Sequence, residues 1–436
     1  MPASTDQFTD DERPTMAEDR WLASSAGQTL IRELMDEWPL GIKQAGRLRD
    51  QLGQPLYFAV CRLLDTAPKA VKKIIPGDQQ ADASQRMHVP LVTERGIQQA
   101  TDWRTAQYKA SRIPRGCVVC DVCAGVGGDA IALSRRGPLI AIDRDPQMCR
   151  YAAFNLRVWG GSDVVVSCDQ AECLQPTENA WIHIDPDRRP HPQGRTSALE
   201  MSSPTAETIV RWLRGAAGAT IKLAPAAELP AAMPVPAERQ WISRLGECRQ
   251  QVLWYGLTDG TSSPKRSATV LLADGQAATF EHADSQLASV RCRLDDAPRT
   301  YLYDLDPALR AAGLGAAFAT QYELGAIGGP QGFFTSKTLL ADRIASNHRG
   351  LVQEFALQHV GPFNVKHLKK EIAARGWNRL EIKVRGVDVL PEKLRPQLLG
   401  KRRGRSSKEP ARSGVVLVGN ASSAGHSIYA ALALRV

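Results

Sequence analysis

The spacing of apolar residues changes character along the chain, and each change predicts a different kind of element. Between residues 20 and 110 the spacing is helical, with Leu30, Leu34 and Trp38 in one set and Leu56, Val60, Leu63 and Leu64 in another. Residues 1–18 are polar and acidic with few apolar side chains, which predicts a disordered tail. A polar stretch from Gly77 to Ser84 reads as a loop. From about residue 115, short apolar runs alternate with amphipathic ones. Strands are predicted at 116–122, 138–142, 163–167, 180–184 and 219–223, and helices at 129–136, 146–159 and 205–213. Repeated strand–helix units imply a parallel sheet with helices on both faces. Two later runs, 250–255 and 267–272, are joined by a Gly- and Ser-rich turn and predict an antiparallel hairpin at the sheet edge.

The last third follows another pattern. Asn364 stands where it would cap a helix over 365–375, with Val365, Leu368 and Ile372 inward and Lys366, Lys369 and Lys370 outward. Residues 379–385 alternate, Leu380, Ile382 and Val384 against Arg379, Glu381, Lys383 and Arg385, as a strand with one buried face does. A short helix near Pro391, a basic loop at 401–405 and strands at 415–418 and 427–434 complete a small α+β module. The expected division is a tail (1–18), a helical region (19–112), an α/β domain (113–285), a connecting region (286–350) and a basic module (351–436).

Composition narrows the picture. Hydrophobic residues make up 43% and charged residues 23%, as in globular proteins. No run of about 18 apolar residues predicts a membrane span. The N-terminus has no basic, then apolar, leader pattern, so a cytoplasmic location is expected. The nine cysteines suit reduced thiols better than a disulfide framework. Cys117, Cys120 and Cys123 lack a matching distant pair, and no two histidines have ligand spacing, so no metal site is expected.

Charge is uneven. Residues 286–436 hold 23 Lys and Arg against 12 Asp and Glu, an excess larger than the +9 of the whole chain. Within 361–412 the count is 15 against 5, which points to a polyanion, with a merely solvated face as the alternative. The candidate phosphate contacts are Lys366, Lys369 and Lys370 on the helix, Lys383 and Arg385 on the strand, and Lys401, Arg402, Arg403 and Arg405 in the loop. Phe363, Trp377 and Tyr429 are the aromatics from residue 361 onward, too few for a base-stacking platform, so backbone or shape recognition of RNA is expected.

The densest chemistry lies at Asp121-Val122-Cys123-Ala124-Gly125-Val126-Gly127-Gly128-Asp129. In a doubly wound sheet the ligand sits beyond the strand ends, over the first strand–helix turn. Gly125, Gly127 and Gly128 let the backbone approach a ligand. Asp121 could meet a cationic amine, Asp143 two ribose hydroxyls, and Asp169 an adenine amine. The glycine pattern also fits a dinucleotide fingerprint. Against that stand the acid before the glycines, Asp129 inside the loop, which should repel a pyrophosphate, and a second motif after the fourth strand. This motif is Asp185-Pro186-Asp187-Arg188-Arg189, where Asp185 or the Pro186 carbonyl could hold an attacking amine or hydroxyl. Lys222 could line the pocket or form a salt bridge.

Together, Asp121–Asp129, Asp143, Asp169 and Asp185–Arg189 resemble the successive motifs of class I S-adenosylmethionine-dependent methyltransferases. Ile221-Lys222-Leu223-Ala224-Pro225 and Leu380–Val389 look like bacterial members that end in a THUMP-like domain. The resemblance covers roughly residues 85–436. It implies a Rossmann-like seven-stranded sheet, S-adenosylmethionine at Asp121, Cys123, Gly125, Gly127, Gly128, Asp143 and Asp169, and catalysis at Asp185 and Pro186. It also implies an RNA substrate, tRNA or rRNA, because THUMP domains accompany RNA-modifying enzymes. Cys123 departs from the pattern, standing where many members carry the first loop glycine. Two other functions stay open: an RNA-binding protein with a degenerate site, and an NAD-dependent oxidoreductase.

Overall fold

The structure, a computed structural model, describes residues 16–77, 88–186, 202–256, 263–400, 411–421 and 427–436. The chain forms two compact units, Met1–Pro236 with Leu253–Gly260, and Ala237–Val252 with Thr261–Val436.

The first unit begins with helices α1 (Met16–Leu22), α2 (Ser25–Met35), α3 (Ile42–Leu52), α4 (Gln54–Ile74), α5 (Glu94–Gln99) and α6 (Trp103–Arg112). Side-chain caps start three of them: Ser24, Thr93 and Asp102 accept from the backbone N–H groups of Gly27, Gly96 and Thr105. Alternating elements follow: β1 (Val118–Val122), α7 (Ala130–Leu133), β2 (Leu139–Asp143), α8 (Pro146–Trp159), β3 (Val164–Cys168), β4 (Ala180–Ile184), α9 (Ala206–Leu213) and β5 (Gly218–Leu223). The strands pair in the order β3-β2-β1-β4-β5, all parallel. Parallel pairing places every carboxyl end at one edge of the sheet, where the predicted site acids lie. Four of the five residues of β1 and all five of β4 are buried, as expected of strands covered on both faces.

The second unit contains β6 (Glu238–Arg244), the start of β7 (Glu247–Tyr255), β8 (Lys265–Leu271) and β9 (Ala277–Ala283). The hairpin expected from residues 250–255 and 267–272 does not form, because β6 lies between β7 and β8. Strand β6 escaped the sequence pattern because its polar Glu238, Gln240 and Ser243 are buried together with Trp241 and Ile242. Next come β10 (Arg293–Leu294), β11 (Tyr301–Leu305), α10 (Pro307–Ala311), α11 (Gly315–Gln321), β12 (Gly325–Ile327), β13 (Phe333–Ser336), β14 (Val352–Pro362), α12 (Val365–Ala374), β15 (Arg379–Arg385), α13 (Pro391–Leu399), β16 (Ser413–Asn420) and β17 (Ile428–Arg435). Their strands form an eight-stranded sheet, β10-β12-β13-β11-β14-β17-β16-β15. Asn364 caps α12 as predicted, accepting from the His367 N–H at 3.1 Å.

The alternation of β15 is real: Leu380 and Ile382 pack with Leu368 and Ile372 of α12 and Leu394 and Leu398 of α13. Its other face is not open to solvent at Lys383 and Arg385. Both turn onto Asp304 of β11, which is 3% exposed. Asp304 accepts from Lys383 Nζ at 2.9 Å, from Arg385 Nε and Nη2 at 2.9 and 2.8 Å, and from Arg310 Nη1 at 2.8 Å. These two cations, expected to contact phosphate, are therefore committed to an internal acid. Lys401, Arg402, Arg403 and Arg405 lie outside the described residues. Among the described residues, no helix is long and apolar enough to cross a membrane.

Removing Asp304 would strand three cations. We expect Asp304→Asn to destabilise the second unit by roughly 3 kcal/mol or more in denaturant unfolding of the full chain. Burial alone would raise the Asp304 pKa, but Arg385, Arg310 and Lys383 hold it below the ordinary carboxylate value. Its stabilising contribution is therefore complete above that ordinary value and is lost as acidification passes the lowered one. The Asn variant should show a shallower acid dependence than the parent protein.

Candidate cofactor site

β1 ends in Asp121 and Val122, and the chain then turns through Cys123 (φ 63°), Gly125 (φ 55°) and Gly127 (φ 90°) before α7. Left-handed backbone at both glycines is what their lack of a Cβ permits. Cys123 takes the same conformation as a non-glycine residue, with its Sγ 3.6 Å from the Ser203 carbonyl. Among the described residues, a Cβ at Gly125 would meet nothing within 4 Å, so none of them crowds the loop there. At Gly128 a Cβ would lie 3.0 Å from Ala100 Cβ and 3.1 Å from Thr101 N, because the segment joining α5 to α6 packs directly on the loop.

The acids occupy adjacent strand ends. Asp143 accepts through Oδ2 from Gly125 N at 2.8 Å and through Oδ1 from Asp145 N at 3.0 Å. These bonds fix the carboxylate against the loop, and each oxygen keeps room for a further donor. Asp169 is exposed, and its N–H donates to the Asp143 carbonyl at 3.0 Å, so the two acids follow one another along the sheet edge. Asp185 donates its N–H to the Val122 carbonyl at 3.2 Å, and its Oδ2 lies 2.6 Å from Lys222 Nζ. Pro186 is buried beside it. Lys222, left open between two roles by its sequence, forms a salt bridge. Residues 187–189 lie outside the described part.

Asp121 differs from these. It is 1% exposed, and its Oδ2 has no hydrogen-bond partner among the described residues. Burial pushes its carboxyl well above the usual range, with Asp129 and Asp185 adding to the push and Lys109 and Lys222 opposing it. A buried acceptor without a donor is costly, and one at a ligand-facing turn suits a cationic donor.

Asp129 does not point outward to repel an anion, as its sequence position suggested. It is buried, with Oδ1 2.7 Å from Lys109 Nζ and Oδ2 accepting from Thr101 Oγ1 at 2.6 Å. His183 Nε2 lies 3.3 Å from the same Oδ2. Burial would raise Asp129, but Lys109 and His183 hold it well below the ordinary value. Burial and the neighbouring Lys109 push the His183 imidazole below its usual value. Sequence reading missed Lys109 and Thr101. A signal did exist for Lys109, since it follows Trp103 and Ala106 on the apolar face of α6, just before Ala110. A lysine on a buried face needs a carboxylate. Asn155 of α8 provides a second tie, accepting from Leu91 N and donating to the Leu91 and Val126 carbonyls, each at 2.9 Å.

Residues 352–417 match the family described as THUMP domain-like. Two curated relatives, both named as uncharacterized S-adenosylmethionine-dependent methyltransferases, come from Mycobacterium tuberculosis strains CDC 1551 and H37Rv. Each is 27% identical over 312 residues, spanning 71% of this chain and 80% of the relative. A crystal structure from Porphyromonas gingivalis W83, named for a methyltransferase, shares the fold with a TM-score of 0.69 at 18% identity. That likeness covers 94% of this chain and 98% of the other.

The loop contacts predict unequal effects of adding one methyl group. Gly128→Ala should cost about 1–3 kcal/mol of stability, because its methyl meets backbone that has no room to yield. Gly125→Ala should cost about 1–2 kcal/mol through its left-handed φ alone. Chemical denaturation of the two variants checks the order, and a harmless Gly128→Ala would contradict the packing described.

Proposed function

We propose that this S-adenosylmethionine-dependent methyltransferase acts on RNA, with the cofactor in the glycine loop and phosphate contacts on α12. The cofactor reading rests on Asp121, whose buried Oδ2 has no hydrogen-bond donor among the described residues, beside a loop that none of them crowds at Gly125. The residues present fit the cofactor: Asp121 for its α-ammonium, Asp143 for the ribose hydroxyls, Asp169 for the adenine amine, and the backbone of Cys123, Gly125, Gly127 and Gly128 against its length. Asp129 no longer argues against a dinucleotide, because Lys109 neutralises it. The unsatisfied Asp121 and the methyltransferase relatives still favour the sulfonium cofactor.

When bound, S-adenosylmethionine supplies an electrophilic methyl group on a sulfonium. The chain's own contribution is to position the attacking atom in line with that methyl. Asp185 is suited to this. Lys222 at 2.6 Å fixes one carboxylate oxygen, which leaves the other to accept a hydrogen bond from an amine or hydroxyl of the substrate. The Pro186 carbonyl offers a second acceptor at the same strand end.

RNA as substrate rests on the THUMP domain-like segment and on Lys366, Lys369 and Lys370, all exposed on α12 within it. Three cations on one helix face suit a phosphate backbone. Lys383 and Arg385 are left out of this surface because Asp304 holds them. A cytoplasmic location accords with such a substrate.

Methyl transfer from labelled cofactor to total RNA tests the reading; label reaching a small metabolite and no RNA would overturn it. Asp185→Ala should lower kcat by at least about 100-fold at saturating cofactor. Asp143→Ala should weaken S-adenosylhomocysteine binding, measured by calorimetry. Replacing Lys366, Lys369 and Lys370 with alanine should weaken RNA binding and reduce the slope of log K against log salt by about 1 per lost phosphate contact.

A further inference from the structure

Two acids flank the glycine loop, Asp121 before it and Asp129 after it, and both are buried. A cationic ligand entering the loop could be drawn to either. The surrounding charges distinguish them. Lys109, 0% exposed on α6, stands 2.7 Å from Asp129, while Lys222 stands 2.6 Å from Asp185. Each of these two carboxylates has its own ammonium, and His183 also lies against Asp129. Of the three, Asp121 is the one whose fully buried oxygen, Oδ2, has no hydrogen-bond partner among the described residues.

We infer that Lys109 is a positioning residue of the cofactor site: by occupying Asp129 it reserves Asp121 for the cofactor's α-ammonium. The inference rests on the cofactor reading above and gives the N-terminal helices a part in binding. Charge balance supports it. With Lys109 paired to Asp129 and Lys222 paired to Asp185, a protonated Asp121 leaves the buried cluster neutral. A cofactor ammonium then takes the place of the Asp121 proton, which keeps the balance. Affinity should therefore rise with pH through the ionisation of Asp121, because only the carboxylate holds an ammonium. The groups that face Asp121 in this argument are Lys109 from α6, Asp129 at the start of α7, Asp185 after β4 and Lys222 from β5, with His183 of β4 touching Asp129.

Calorimetric titration of the full chain with S-adenosylhomocysteine across pH tests this, using Asp129→Asn, Lys109→Met and the double variant. Asp129→Asn releases Lys109 to pair with Asp121. Affinity should fall about tenfold or more, and its rise with pH should flatten. Lys109→Met should also weaken binding, because Asp129 then competes for the ammonium. The double variant removes both charges, so it keeps the cluster balanced and should recover affinity to within about threefold, together with the parent pH dependence. Thermal unfolding of each variant separates loss of fold from loss of affinity. A parent-like pH profile in Asp129→Asn, or a double variant no better than the weaker single one, would overturn the inference. Failure of the parent protein itself to bind S-adenosylhomocysteine is a different result, and it would remove the cofactor reading on which the inference rests.

Discussion

The contact between Asp129 and Lys109 constrains much of the first unit. Moving a carboxylate and an ammonium out of water costs several kcal/mol per ion, and close pairing offsets that cost only where further hydrogen bonds complete the site. Here Thr101 supplies one such bond and His183 stands close by. Lys109 and Thr101 come from the helical region and Asp129 from the glycine loop, so the charge requirement ties a distant stretch of sequence to the turn. Asn155 repeats the tie through hydrogen bonds to Leu91 and Val126. The helices before β1 are thus part of what shapes the loop.

Much of this fold was legible in the spacing of apolar residues. The five parallel strands and the helices between them lie where the alternation placed them; β1 and β4 are apolar runs buried almost throughout, and the longer helices bury one apolar face. The strand-end acids were legible for a related reason: in a doubly wound sheet a polar residue that ends an apolar run is carried to the edge where ligands bind. Asp121, Asp143, Asp169 and Asp185 all sit at such ends. Asn364 was legible as a cap because a helix start leaves N–H groups that a short polar side chain satisfies.

What stayed hidden has a common physical cause, the partnering of polar groups across long stretches of sequence. Strand β6 buries Glu238, Gln240 and Ser243, so it carries no apolar pattern. Lys383 and Arg385 alternate with apolar residues as an outward face would, yet Asp304, about 80 positions earlier, turns that face inward. Asp129 read as an anion repeller because its partner on α6 was not apparent. Periodicity reports which face is buried, and it is silent about a charge that is buried with its counter-charge.

We propose a sulfonium-cofactor site in the first unit and a surface for RNA on α12 of the second. Methylation of RNA is tested by mass spectrometry of nucleosides. Bulk RNA from cells lacking the gene is compared with RNA from cells carrying it and with RNA from cells carrying Asp185→Ala. One methylated nucleoside should be present with the parent gene and lost in the other two. Identical nucleoside profiles in all three would contradict it.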